Sequence, residues 1–195
     1  MAERVPASLL SALVDLMRWL DATRIPAMII GGVAVSALGR PRLTQDVDAL
    51  VSLPESKWAE SLTSAAAYGL QPRIEDALDF ARRSRVLLLR HSLSGIDIDV
   101  TFAALPFELA AISRRARLEL GGVRVPLPRV EDLLVMKAIA HRPKDIEDLR
   151  GLLAAHPAAD VEAAREWIRE FAAAMNMPDL LRDFDALLVK GHAKP

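Results

Sequence analysis

The 195-residue sequence has no cysteine, which excludes a disulfide framework, a thiolate zinc centre and a cysteine nucleophile. Aromatic residues make up only 5% of the chain, leaving few platforms on which single-stranded bases could stack. Neither sign of charge dominates: 25 Lys and Arg offset 26 Asp and Glu for a formal charge of -1, so no global field draws the chain to polyanions. Any polyanion must therefore be held by a local cluster. Long apolar runs are also missing. The longest uncharged stretch near the N-terminus, Ile25 to Gly39, contains a proline and several glycines and falls short of the roughly 20 residues of a membrane span. Met1 to Leu20 is interrupted by Glu3, Asp15 and Arg18, unlike a signal peptide. The 4 histidines show no ligand spacing, which leaves metal chemistry mainly to carboxylates. What remains is a chain that is 52% hydrophobic, enough for one compact core with or without an appendage. The expectation is a soluble cytoplasmic protein with no membrane partner.

Hydrophobic spacing organises the chain. Leu9, Leu10, Leu13, Leu16, Met17 and Leu20 recur at helical intervals between Pro6 and Ala22. The short apolar run AMII (27–30) reads as a buried strand, and Gly31-Gly32 then turns the chain into the short helical segment VAVSAL. DVDALV (46–51) has the period-2 alternation of a strand, and Pro54 opens a helix to about Tyr68. VLLLR (86–90) and IDIDVTF (96–102) form a hairpin across His91 to Gly95, and RLEL and VRVPL form a smaller one across Gly121-Gly122. Beyond Pro128 only helical patterns remain, at 130–141, 144–156, 160–173 and about 178–189, with a stop and restart at Arg142-Pro143. The tail from Lys190 to Pro195 is expected to fray. The predicted class is α+β: a small mixed sheet flanked by helices, followed by a C-terminal helical part.

Four aspartates stand out by position. Asp46 and Asp48 lie two apart in an apolar strand, so both project from one face. Two such carboxylates repel unless a cation lies between them, and hard oxygen donors favour Mg²⁺ or Mn²⁺. A solvent-facing strand edge is the alternative for this pair taken alone. Asp97 and Asp99 repeat the pattern in a second strand; if the two strands are neighbours, up to four carboxylates converge on one patch. Gly31-Gly32 sits between a buried strand and a helix start, where the backbone can approach a phosphate closely. Arg40, Arg42 and Thr44, in the connection to Asp46, could add charge and a hydroxyl for a triphosphate.

GGVAVSALGRPRLTQDVDALV resembles the signature of the nucleotidyltransferase superfamily to which DNA polymerase beta belongs: a Gly-Gly turn, a short helix, Asp-x-Asp and a third carboxylate on a later strand. More narrowly, the chain is similar to the AbiEii-like or MenT-like toxin nucleotidyltransferases of bacterial type IV toxin–antitoxin systems. Arg42, Thr44, Asp46 and Asp48 match the R-x-T-x-D-x-D string of that group, and Lys137 matches its downstream lysine. Arg142, Lys144, Asp145 and Asp148 match its R-x-K-D-x-x-D-like string, and the resemblance spans about residues 25–155. The C-terminal helical region is shorter than in many of those toxins.

The resemblance implies a nucleotidyltransferase core at 1–128 with a C-terminal helical region at 129–190 packed on it. It implies transfer of a nucleoside monophosphate from an NTP to a hydroxyl, with pyrophosphate released and Mg²⁺ or Mn²⁺ held by Asp46, Asp48 and Asp99. Parity does not separate Asp97 from Asp99; the Pro106-Phe107-Glu108 segment that follows favours Asp99 by resemblance, with Asp97 supporting it. Gly31, Gly32, Arg42, Thr44 and Lys137 would hold the nucleotide. A toxin of this group would act on tRNA and be neutralised by a cognate antitoxin; a small-molecule or protein hydroxyl is the alternative acceptor, and a silent nucleotide-binding protein the alternative class. Three assignments keep a plain structural counterpart. Lys137 could be a snorkelling surface lysine, and Lys144 with Asp148 an i,i+4 helix pair. The basic runs Arg82-Arg83-Ser84-Arg85 and Arg114-Arg115-Ala116-Arg117 could track RNA or simply form solvated faces.

Overall fold

The computed structural model describes residues 6–192, with side chains through residue 189. The chain divides into two units, Met1–Val33 with Leu43–Pro128 and Ala34–Arg42 with Arg129–Pro195. The first unit carries the β-structure. Its sheet contains β1 (Ala27–Ile30), β2 (Asp46–Val51), β3 (Leu70–Pro72), β4 (Val86–His91) and β5 (Asp97–Phe102), in the order β1-β2-β5-β4-β3. β2 and β5 run parallel, and the other neighbours run antiparallel, so the sheet is mixed.

Alternation gives this sheet one apolar face. Val47, Ala49 and Val51 of β2, Ile98, Val100 and Phe102 of β5, and Leu87 and Leu89 of β4 are all buried. Each such Leu, Ile or Phe contributes about 1.5–3 kcal/mol by leaving water. Helix α1 (Ala7–Ala22) buries Leu13, Leu16 and Trp19, and Trp19 Nε1 donates to Ser64 Oγ at 2.9 Å. The opposite parity of β2 and β5 begins with the aspartates and continues into the buried Leu50 and into Thr101.

The expected helix after Pro54 is interrupted. A 3₁₀ turn at Glu55–Lys57 leads into α3 (Trp58–Ala65), and a second at Ala66–Tyr68 ends at Gly69, whose φ of 71° turns the chain into β3. Trp58 stacks on Phe102 with ring centroids 3.9 Å apart. Two helices were not read from the pattern: α4 (Ala77–Ser84) and α5 (Pro106–Ser113). In α5 the Glu108 carboxylate accepts from the backbone N–H of Ala104 and Leu105 at 2.7 and 2.9 Å, which caps its start. The small hairpin forms as expected, with β6 (Ala116–Leu120) antiparallel to β7 (Val123–Leu127).

The division between the units falls inside α2 (Gly31–Leu38), whose first three residues group with the sheet. The second unit is otherwise helical: α6 (Val130–Ala140), α7 (Pro143–Ala155), α8 (Val161–Ala174) and α9 (Asp179–His192). α6 stops at His141, which adopts φ 50°, and Pro143 opens α7. The Asp160 side chain caps α8 by accepting from Ala163 N–H at 3.1 Å. Of the tail expected to fray, residues 190–192 continue α9 and 193–195 lie outside the described residues. Among the described residues no helix is long and apolar enough to cross a membrane.

Candidate active site

The parallel pairing of β2 with β5 sets Asp46 opposite Asp97 and Asp48 opposite Asp99. Residues in register on neighbouring strands share a face, so all four carboxylates project from the face opposite Val47, Ala49, Ile98 and Val100. The strands are neighbours, as the four-carboxylate patch required. Two carboxylates facing two others within one sheet is a costly arrangement without cations.

The sequence reading missed the cations that answer it. Arg73, just beyond β3, places Nη1 2.8 Å from Asp97 Oδ2 and Nη2 2.9 Å from Asp99 Oδ1. Arg90 adds Nε at 2.7 Å from Asp97 Oδ1. Arg90 was recoverable, because counting across the hairpin pairs it with Asp97. Arg73 was not: β3 is three residues long and ends in proline, so no periodicity announces it.

The two β5 carboxylates are consequently unlike. The Arg90 guanidinium, with further help from Arg73, holds Asp97 below the ordinary carboxylate range against the opposing effect of burial. Burial pushes Asp99 up; Arg73 opposes that, while Asp46 and Asp97 add to it as like charges. Asp99 is thus the carboxylate more inclined to take a proton, and Asp97 the one fixed as an anion.

Asp46 and Asp48 are shaped by the segments before β2. Thr44 Oγ1 donates to Asp46 Oδ1 at 2.9 Å. Gly31 begins α2 directly after β1 with φ +61°, and a β-carbon there would lie 1.8 Å from Asp48 Oδ2. Glycine is required at that position twice, for its backbone conformation and for the space that the carboxylate fills. Gly32 follows as the second residue of α2.

Among the described residues no three His, Cys, Asp or Glu side chains are gathered as a ready metal centre. The expected trio of Asp46, Asp48 and Asp99 is on one face, but Arg73 already occupies the Asp99 end. Chemically the donor set still suits a hard divalent ion: carboxylates on adjacent strands, with no cysteine in the chain to offer a thiolate.

The second unit holds the other charged motif residues in a cluster of its own. Lys137 is buried, with Nζ 3.0 Å from Asp145 Oδ1 and 2.9 Å from Asp148 Oδ2. Arg42 Nε reaches Asp148 Oδ1 at 3.0 Å. The Asp145 carboxylate also accepts from the Arg142 backbone N–H at 3.2 Å and from Arg142 Nη2 at 3.1 Å. A surface snorkel is therefore excluded for Lys137. Lys144 is exposed, and Asp148 is engaged by Arg42 and Lys137 instead of forming the i,i+4 pair.

The basic runs are largely consumed internally. Arg82 pairs with Asp79 and Glu55, Arg83 with Asp76, and Arg85 donates to the carbonyls of Phe102 and Ala103. Arg115 donates to Ile112 O and Arg117 to Asp21. His91, buried in β4, sits between Asp15 Oδ2 at 3.0 Å and Ser94 Oγ at 2.7 Å.

No protein-family model matches the chain, and no curated protein matches it in sequence. Solved structures do match. An antigenic nucleotidyltransferase-like protein from Paracoccidioides brasiliensis aligns with TM-score 0.53 and 18% identity over 94% of this chain and 95% of that one. The enzyme ANT(2'')-Ia in complex with adenylyl-2''-tobramycin aligns with TM-score 0.56 and 18% identity, over 85% of this chain and 98% of that one. The lincosamide antibiotic adenylyltransferase LnuA, lincomycin-bound, gives 0.52 and 14%, over 78% and 99%. The likeness in all three is one of fold: a mixed sheet flanked by helices and followed by C-terminal helices, the nucleotidyltransferase fold.

Proposed function

We propose that this protein is a nucleotidyltransferase that moves a nucleoside monophosphate from an NTP to a hydroxyl acceptor and releases pyrophosphate. The observation that carries this reading is the β2–β5 register, which pairs Asp46 with Asp97 and Asp48 with Asp99 beside the Gly31 turn. Fold alone does not assign an activity; the carboxylate face and the glycine approach supply the chemistry.

Asp46, Asp48 and Asp99 would hold Mg²⁺ or Mn²⁺, which when bound neutralises triphosphate charge and favours in-line displacement. Asp99 accepts the proton of the attacking hydroxyl at a carboxylate oxygen, the role that the family resemblance gives it. Asp97, held by Arg90, keeps β5 and Arg73 in place. Gly31 and Gly32 let the start of α2 approach phosphate oxygens, and Thr44 fixes the Asp46 carboxylate. Arg42 and Lys137 enter this reading through the family resemblance; their charges are matched by Asp145 and Asp148.

For the acceptor, a hydroxyl-bearing small molecule is the better supported class. ANT(2'')-Ia and LnuA, which share the fold over nearly their whole lengths, are described with antibiotic ligands, and the charge of Arg82 and Arg83 is offset at the surface by Asp79 and Asp76. A tRNA acceptor, a cognate antitoxin and membership of the AbiEii-like or MenT-like toxins rest on the sequence resemblance, as does a cytoplasmic location. Incubating the protein with each α-phosphate-labelled NTP, Mg²⁺ or Mn²⁺, and in turn total RNA, a lysate and a panel of hydroxylated small molecules separates these acceptors. Label in a nuclease-sensitive band identifies RNA, a labelled polypeptide identifies protein, and a labelled low-mass adduct identifies a small molecule. Nucleotide binding without transfer to any of them supports the silent-binder alternative.

A further inference from the structure

The fork of Arg73 divides its charge between two carboxylates whose other partners differ. Its Nη1 lies 2.8 Å from Asp97 and its Nη2 2.9 Å from Asp99, while Asp97 has a second cation in Arg90 at 2.7 Å. The arginine is anchored, since its backbone N–H donates to Leu88 O at 2.9 Å on the neighbouring strand. Asp99 stands opposite Asp48 in the parallel register, and Asp46 acts on it as a like charge.

We propose that Arg73 is a positioning residue that acts as a resident stand-in for the divalent cation at Asp99, and that metal binding must displace it from that carboxylate. The proposal rests on the metal-binding reading of Asp46, Asp48 and Asp99. In the absence of metal, the guanidinium offsets the repulsion between carboxylates that the parallel register forces together. A metal ion and a guanidinium compete for the same Asp99 oxygens, so whatever favours one weakens the other. Asp97 is where the displaced fork can stay, already oriented by Arg90. The device costs metal affinity and gains a site that remains folded without metal.

The test is Mn²⁺ binding to the full-length protein without nucleotide, by calorimetry or by the spin signal of free Mn²⁺, alongside thermal unfolding with and without Mn²⁺. The side chains involved are partly exposed, at 23% for Arg73 and 37% for Asp99. Solvent screening therefore reduces the effect to a gain of about tenfold in Mn²⁺ affinity for Arg73→Gln. Arg73→Lys, which replaces the fork by one ammonium, is expected to gain about threefold. Arg90→Gln, which leaves the Arg73–Asp99 pair in place, should gain less Mn²⁺ affinity than Arg73→Gln. Arg73→Gln should also melt below wild type without Mn²⁺ and gain more from its addition.

Affinity in both Arg73 variants equal to or weaker than wild type, with no larger gain in melting temperature, overturns the proposal. Should Arg73→Gln fail to fold, Arg73→Lys alone decides by the same criterion. If Mn²⁺ binding is abolished by Asp46→Ala yet unaffected at Arg73, the metal reading stands and only the role of Arg73 falls. If neither wild type nor the Arg73 variants bind Mn²⁺, or if Asp46→Ala leaves binding intact, the metal reading and this proposal fall together.

Discussion

A β-carbon on Gly31 would come within 1.8 Å of Asp48 Oδ2, so a side chain at position 31 and the carboxylate 17 residues later would claim the same space. The φ of +61° at Gly31 adds a backbone penalty for any other residue. Gly31→Ala is therefore expected to lose about 1–2 kcal/mol of stability in denaturant unfolding. The displaced carboxylate should lower pyrophosphate release by roughly a hundredfold or more. Full activity with an unchanged unfolding midpoint would show that Asp48 tolerates the move.

The two β5 carboxylates should separate on mutation. Asp99→Asn removes the proposed proton acceptor and is expected to reduce transfer by about a thousandfold. Asp97→Asn weakens an arginine clamp and is expected to reduce transfer by about tenfold or less. Steady-state pyrophosphate release by the two variants, each checked for folding by circular dichroism, decides between them.

The cluster in the second unit predicts a stability effect. Asp145 is fully buried beside Lys137. Burial alone would raise its pKa, but the hydrogen bonds and charges of Arg142 and Lys137 outweigh that and hold it below the ordinary range. A carboxylate whose folded pKa is lowered gives stability that is complete above its unfolded value, near pH 4. That stability is lost as pH falls through the lower folded value. Asp145→Asn should cost about 3 kcal/mol at neutral pH, because Lys137 keeps its charge with one partner fewer. The gap between variant and wild type should narrow in urea unfolding below about pH 4.

Arg82 and Arg83 are exposed but pair at the surface with Asp79 and Asp76, which offsets the positive charge of the run. Arg82→Gln combined with Arg83→Gln should leave RNA affinity within about threefold in gel-shift titrations and stability within about 1 kcal/mol. A loss of tenfold or more would return RNA to the front as acceptor.

Regular elements with strong periodicity were legible in the sequence. β1 and β2 end where AMII and DVDALV end, and both glycine-linked hairpins pair as their spacing requires. α4 and α5 escaped because each is only eight residues long, and α4 is rich in charge. Pro106-Phe107-Glu108, a family marker by resemblance, is physically the capped first turn of α5. At the site, parity put Asp46 with Asp48 and Asp97 with Asp99, but only tertiary pairing of β2 with β5 joins the pairs. Arg73 depended on the same long-range pairing and had no local signal. For Lys137 the sequence left a surface lysine open beside the nucleotide-binding role that the resemblance implies; the lysine is buried and paired with Asp145 and Asp148 of the next helix, partners that local spacing did not indicate.

The central claim is transfer chemistry at the β2–β5 carboxylates, and pyrophosphate release measured with wild type, Asp46→Ala and Asp48→Ala tests it most directly. The reactions contain each NTP in turn, Mn²⁺ or Mg²⁺ and the mixed acceptor panel. The account predicts pyrophosphate from wild type with one labelled acceptor formed per pyrophosphate, and a loss of at least about a thousandfold in both variants while their folds are retained. Pyrophosphate release that persists in folded Asp46→Ala and Asp48→Ala, or that is absent from wild type across every NTP and acceptor, would contradict it.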